Sequence, residues 1–223
     1  IVDDAWSMPA CAASRAAPAA ATPAVTTTAW PPAAPLVAVP AAVPPAVGKC
    51  RAQGAKPINF VTHSMGGILV RSYLAENEIP ELGRVVMLGP PNHGSELVDR
   101  LRNIPGFTLV YGPAIEQLGT DESSVPLQLG PADYEVGVII GQTAGPLSGM
   151  LPGEDDGMVT VESARLDGMT GFIVMDTSHT FVMNNDEVIS QTLLFLAEGR
   201  FEPRSAGDAA AACASLPASR NRR

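Results

Sequence analysis

The segment T-H-S-M-G-G, from Thr62 to Gly67, places one serine between an apolar run and a stretch with helical periodicity. A serine hydroxyl becomes a strong nucleophile only beside a base, and a tight turn between strand and helix can expose it for that purpose. Such a turn needs small residues two positions either side of the serine. Gly66 meets this need, and Thr62 departs from it modestly. Ser64 is therefore the candidate nucleophile, the alternative being that it only caps the following helix.

A base for Ser64 must come from one of three histidines, which are His63, His93 and His179. In enzymes with this kind of turn, the acid and then the histidine follow the serine, each after a later strand. His179 fits because it follows the apolar run 172–175 by a short turn. His63 adjoins the serine and is expected to point elsewhere, and His93 precedes any candidate acid. The competing interpretation of His179 is a histidine in a surface loop.

A carboxylate must orient this base, and the segment G-E-D-D-G at 153–157 supplies three candidates after the apolar run 136–140. Asp156 is preferred because Gly157 permits the tight turn that aims a carboxylate inward. Asp155 is the competing acid. The cluster could otherwise be a solvated turn or a cation site, but no ligand pattern supports a metal, and we expect no cofactor.

Apolar runs and amphipathic stretches indicate the elements that must position these residues. Buried strands are predicted at 57–62, 84–88, 136–140 and 172–175, and amphipathic helices at 65–77 and 188–196, with one further helical turn at 114–118. Strands that alternate with helices predict an α/β protein with a mainly parallel sheet and helices on both faces.

Residues 1–48 differ in composition from the rest of the chain. Ala and Pro dominate them and charged residues are rare, so we predict a low-complexity, disordered arm. The core is expected over 49–201, with a small and mobile Gly/Pro-rich lid at 103–134. The Ala-rich tail 202–223 is predicted to be disordered.

Composition also restricts the partners. The net charge of −9 argues against nucleic acid, because phosphate contacts need Lys and Arg. No run of about 18 apolar residues indicates a transmembrane helix. The three cysteines are too few and too scattered for a disulfide framework or a metal site. No signal peptide is visible, which slightly favours the cytoplasm.

Together these motifs resemble lipase-like α/β-hydrolases, a group that includes bacterial triacylglycerol lipases and small esterases. The resemblance covers roughly Ala52 to Phe201 and depends on H-S-M-G-G at 63–67, G-P-P-N-H-G-S at 89–95, Asp156-Gly157 and S-H-T-F at 178–181. It implies the α/β-hydrolase fold and the hydrolysis of small-molecule or lipid carboxylic esters through an acyl-enzyme.

The resemblance also implies a role for each site residue. Ser64 would attack the ester, His179 would transfer the proton, and Asp156 would fix the imidazole. The main-chain N–H of Met65 would be one oxyanion donor, as the residue after the nucleophile. Acyl transfer or thioester hydrolysis by the same triad is an alternative.

One element of the resemblance is missing upstream of Ser64. Related hydrolases carry a strand ending in His-Gly, whose loop supplies the second oxyanion amide, and residues 1–48 contain no such strand. The N-terminal strands are therefore expected to be missing or degenerate. Two explanations, of which one or both apply, are that the chain begins after that loop, with 4–8 as a remnant, and that part of the Ala/Pro stretch is a misread frame of a GC-rich gene. The chain could then be an inactive fragment that serves at most as a binding surface.

Overall fold

The computed structural model describes residues 7–10, 12–13, 26–29, 43–106, 112–143, 145 and 148–202 of the 223-residue chain. The strands in this part are β1 (Ser7–Ala10), β2 (Ala12–Ala13), β3 (Thr26–Ala29), β4 (Ile58–His63), β5 (Leu82–Leu88), β6 (Val136–Gly141) and β7 (Gly171–Met175). The helices are α1 (Val43–Ala52), α2 (Met65–Glu76), α3 (Glu96–Leu101), α4 (Val125–Gln128) and α5 (Asp186–Glu198). Short 3₁₀ helices span Pro113–Leu118, Ser148–Met150 and Val182–Asn184.

The main sheet has the order β2–β4–β5–β6–β7 among the described residues, and β4 to β7 are parallel. These four strands are short apolar runs, which suits strands that are covered on both faces. The four predicted strands and the two predicted amphipathic helices are confirmed to within two residues at each end. The mainly parallel α/β sheet is confirmed as well.

Both faces of this sheet are covered because successive side chains of a strand point to opposite sides. Val85 and Met87 of β5 belong to the apolar cluster that contains Val47 of α1. Val86, between them, belongs to the cluster that contains Phe195 of α5. No described helix has both the length and the apolar character that a membrane span requires.

A further apolar cluster lies on α2. Ile68 and Leu69 of α2 pack with Val98 of α3 and with Ile115 of the first 3₁₀ helix. The helical turn indicated by the sequence is this 3₁₀ helix. It belongs to the segment 103–134, so part of the expected lid is packed on the core; the mobility of the lid stays a prediction.

The N-terminal side of β4 differs from the rest of the sheet. There, β2 has only two residues and pairs antiparallel with Ile58 and Asn59. β1 and β3 form a separate antiparallel pair. Within the described residues, no strand runs parallel to β4 on this side. Because most of residues 1–42 lie outside the described part of the chain, the expectation that the N-terminal strands are missing or degenerate stays a prediction.

Helix α1 crosses the predicted boundary between arm and core at residue 48. It begins at Val43 and carries Pro44 and Pro45 in its first turn, where proline interrupts no intrahelical hydrogen bond. Its buried residues, such as Cys50, belong to the core, so the core begins before the predicted boundary. Most of the predicted arm, and the predicted tail beyond Glu202, lie outside the described residues.

Candidate active site

Ser64 lies at the junction of β4 and α2. Its backbone has φ 53° and ψ −126°, and it is the one described non-glycine residue with positive φ. Such a conformation costs a non-glycine residue on the order of 1 kcal/mol. The Ser64 N–H donates to the carbonyl of Leu88 at the end of β5 (2.8 Å), and the side chain makes no capping hydrogen bond to α2. The geometry therefore does not support a helix-capping role for the hydroxyl.

The residues flanking Ser64 fit the turn. Thr62, in place of the usual glycine, is buried and its hydroxyl donates to the carbonyl of Val86 (3.4 Å). Met65 is the first residue of α2, so its main-chain N–H has no acceptor within the helix. This N–H is the expected first oxyanion donor. The region where a second donor was sought, upstream of α1, lies largely outside the described residues.

Asp156 and His179 form a buried pair. Asp156 Oδ2 lies 2.7 Å from His179 Nδ1, and Asp156 Oδ1 accepts hydrogen bonds from the N–H groups of Met158 (3.0 Å) and Val159 (2.8 Å). The His179 N–H donates to the Asp156 carbonyl (2.8 Å). Asp156 is only 1% exposed and His179 7%. Both carboxylate oxygens thus have partners, and the imidazole is held through its side chain and its main chain.

Asp155 has other partners. Its Oδ1 accepts a hydrogen bond from the Gly157 N–H (2.7 Å), and its main chain pairs with Thr160. Gly157 has φ 102°, a left-handed conformation that favours glycine, as the tight turn was expected to require. Of the two candidate acids, the structure joins Asp156 to His179.

The pair lies at the carboxyl edge of the sheet, beside the end of β5. Gly89, which follows Leu88, has φ 56°, and a Cβ added there would lie 3.0 Å from both Asp156 Oδ2 and His179 Nδ1. Only glycine leaves room for the pair. Because the Ser64 N–H is bonded to Leu88, the serine and the acid–histidine pair both adjoin this one strand end.

His63 does not point away from the site, so that expectation was wrong. Its ring centroid lies 4.8 Å from that of His179, with the planes tilted by 45°, and its Nε2 lies 3.0 Å from the His179 carbonyl oxygen. Burial and the neighbouring His179 lower the pKa of His63 to about 4, so His63 is neutral at pH 7. The contact depends on where the loop after β7 packs, which the local sequence around the serine does not reveal. The third histidine, His93, is exposed.

The loop at 89–95 supports the acid, a role that the sequence did not assign to it. Asn92 Nδ2 donates to the carbonyl of Ala164 (2.8 Å), and Ser95 Oγ donates to the carbonyl of Met158 (2.7 Å). These bonds fasten the loop to the segment that follows Asp156. The motif was visible in the sequence, but its partners are main-chain carbonyls, which carry no sequence signature.

Arg71 of α2 is another buried ionisable side chain, 6% exposed. Its guanidinium donates to Asn92 O and Oδ1 (both 3.1 Å) and to the carbonyls of Pro126 (3.4 Å), Leu129 (3.1 Å) and Gly130 (3.3 Å). Burial lowers its pKa. A cleft of about 260 Å³ beside it is lined by His93 among others.

The described residues contain no group of three or more His, Cys, Asp or Glu side chains that could hold a metal ion.

Solved structures resemble this chain in fold. They include the mature form of Bacillus licheniformis lipase BlEst2, with a TM-score of 0.60 and 19% identity over 77% of each chain. The propeptide form of that lipase matches with a TM-score of 0.61 and 21% identity, over 79% of this chain and 44% of the other. Phospholipase PlaB from Legionella pneumophila matches with a TM-score of 0.55 and 19% identity, over 82% of this chain and 51% of the other.

The chain thus spans about half the length of two of these structures. No protein-family model and no curated protein sequence matches it. At identities of 19% to 21%, the likeness establishes a shared fold.

Proposed function

We propose that this chain, which has the α/β-hydrolase fold, cleaves carboxylic esters through an acyl-enzyme on Ser64. The buried Asp156–His179 pair, beside a serine held at positive φ, is the observation that carries the proposal. It supplies the oriented base that a serine hydroxyl needs. The likeness in fold to bacterial lipases supports the same class of reaction.

In the proposed acylation step, His179 Nε2 accepts the hydroxyl proton of Ser64 while Oγ bonds to the ester carbonyl carbon. The carbonyl π electrons move to the oxygen, which accepts a hydrogen bond from the Met65 N–H. Asp156 stabilises the imidazolium and keeps the ring oriented. The C–O bond to the alcohol then breaks, and the alcohol leaves with the proton from His179.

Deacylation repeats these steps with water. His179 Nε2 accepts a proton from water as the water oxygen attacks the acyl carbon, and Ser64 Oγ leaves with that proton. The products are a carboxylic acid and free enzyme.

Small-molecule or lipid esters are the proposed substrates, and the short lid segment favours small or medium acyl groups.

A second candidate is a catalytically inactive hydrolase fold that acts at most as a binding surface. The short antiparallel β2 beside β4 favours it, because the second oxyanion amide of such enzymes follows a parallel strand upstream of the serine. Loss of one oxyanion donor costs about 100- to 1000-fold in rate.

Labelling of the full chain with a fluorophosphonate probe separates the two candidates. The proposal expects a covalent adduct on Ser64 and hydrolysis of p-nitrophenyl esters. Ser64→Ala should abolish the adduct and lower hydrolysis by at least about 10⁴-fold. Ser190→Ala removes an exposed hydroxyl on α5 that donates to the Asp186 carbonyl, and this control should keep both activities.

A chain that unfolds cooperatively but forms no Ser64 adduct would favour the inactive candidate. A panel of p-nitrophenyl esters of increasing acyl length, with matching thioesters, would define the substrate class. Turnover of thioesters alone would favour the thioesterase alternative.

A further inference from the structure

His63 joins two parts of the candidate site that are far apart in the chain. It ends β4 and precedes Ser64, and its Nε2 lies 3.0 Å from the main-chain carbonyl oxygen of His179, in the loop after β7. A carbonyl oxygen can only accept a hydrogen bond, so His63 Nε2 must carry the hydrogen. The bond therefore runs from the residue next to the nucleophile to the backbone of the base.

The main chain of His179 is consequently held on both sides. Its N–H donates to the Asp156 carbonyl (2.8 Å), and its carbonyl accepts from His63. Its ring Nδ1 is held by Asp156 Oδ2 (2.7 Å). With these three atoms fixed, Nε2 is the ring nitrogen of His179 that is left for proton exchange with a serine.

A neutral His63 suits this arrangement, because a neutral ring with its hydrogen on Nε2 still donates to the His179 carbonyl. During catalysis His179 becomes an imidazolium, and a second charge on a ring 4.8 Å away would oppose that step. Burial disfavours the charged form of His63 and so keeps the ring neutral.

We propose that His63 is a positioning residue, whose Nε2–H holds the His179 backbone so that the catalytic imidazole faces Ser64. The inference rests on the proposed function of this site. His63 acts through His179 and takes no part in proton transfer.

Two substitutions in the full chain separate the hydrogen bond from the volume of the ring. His63→Leu fills the space without a donor, and His63→Gln places an amide N–H near the position of Nε2. Active sites are counted by complete fluorophosphonate labelling, and kcat per labelled site and KM are measured with a p-nitrophenyl ester. We expect His63→Leu to lower kcat per site about tenfold, as loss of one hydrogen bond would, with KM changed less than about twofold. His63→Gln should restore kcat to within about threefold of the wild-type value.

A merely structural role would lower the number of labelled sites and leave the rate per site unchanged. Unchanged turnover per site in His63→Leu, or equal losses in both variants, overturns the proposal. The proposal is also overturned if kcat/KM of His63→Leu no longer falls as the pH is lowered, because His63 would then be the base. If His63→Leu does not unfold cooperatively, His63→Asn, whose amide is too short to reach the carbonyl, takes its place. A wild-type chain that is not labelled at Ser64 contradicts the proposed function instead.

Discussion

The Asp156–His179 pair and the guanidinium of Arg71 are both buried, yet their charges are stabilised differently. The Asp156 carboxylate meets an imidazole and two main-chain N–H groups. Arg71 meets five oxygen atoms, none of which carries a formal charge. No carboxylate of the described residues forms an ion pair with it.

This difference separates a group that can change charge from one that cannot. Histidine exchanges a proton in the neutral pH range, and an adjacent carboxylate stabilises its charged form when that form appears. Arginine stays protonated, so neutral carbonyls oriented toward it are sufficient. In the proposed reaction the pair serves proton transfer, whereas Arg71 fastens α2 to the segment 126–130.

The largest effect should follow from Asp156→Asn. The amide keeps the shape of the side chain but cannot stabilise an imidazolium, so kcat per labelled site should fall about 10⁴-fold. Asp155→Asn is the matched control, because its amide oxygen can still accept from the Gly157 N–H, and kcat should stay within about threefold of wild type. Both are measured with p-nitrophenyl esters. A greater loss in Asp155→Asn than in Asp156→Asn would reverse the assignment of the acid.

Arg71→Met should act on stability instead. It leaves several carbonyls without a donor, and the free energy of unfolding should fall by about 2–4 kcal/mol in urea titrations. The folded variant should keep its kcat per labelled site within about threefold. Arg71→Lys keeps the charge but offers three donors in place of five, so its loss should be intermediate. A lysine variant as stable as wild type would show that charge alone is needed.

A smaller effect should appear when stability is followed against pH. The pKa of His63 is about 4 in the folded chain and 6.5 in its ordinary state, so the unfolded chain binds the proton first. Stability should therefore fall as pH is lowered from about 6.5 to about 4, by up to about 3 kcal/mol. His63→Gln should lose this contribution, while Arg71→Met should retain it. Parallel curves for wild type and His63→Gln would contradict the lowered pKa.

Much of the fold could be predicted because β4 to β7 are short apolar runs. Amphipathic stretches follow β4 and β7, and these form α2 and α5. The α/β-hydrolase fold implied by the motifs is confirmed by the likeness to solved structures. The catalytic roles of Ser64, Asp156 and His179 stay a prediction. The conformational freedom of glycine was informative at Gly157, where the turn directs the carboxylate of Asp156 toward His179.

Other features carried no usable sequence pattern. Helix α1 was not predicted, because it begins within the Ala/Pro-rich stretch, although Pro44 and Pro45 fit its first turn. The acceptors of Arg71 are mostly main-chain carbonyls, which every residue has. The contact of His63 with His179 depends on the packing of a loop more than 100 residues away in sequence.

The positive φ of Ser64 also affects how this protein can evolve. Glycine adopts such a backbone without steric penalty, so the substitution that removes the hydroxyl would also relieve the strain. Under the proposed function, selection for turnover and selection for stability thus act in opposite directions at this position. Without selection for turnover, Ser64→Gly would be favoured, and the protein would become more stable while losing its reaction with esters.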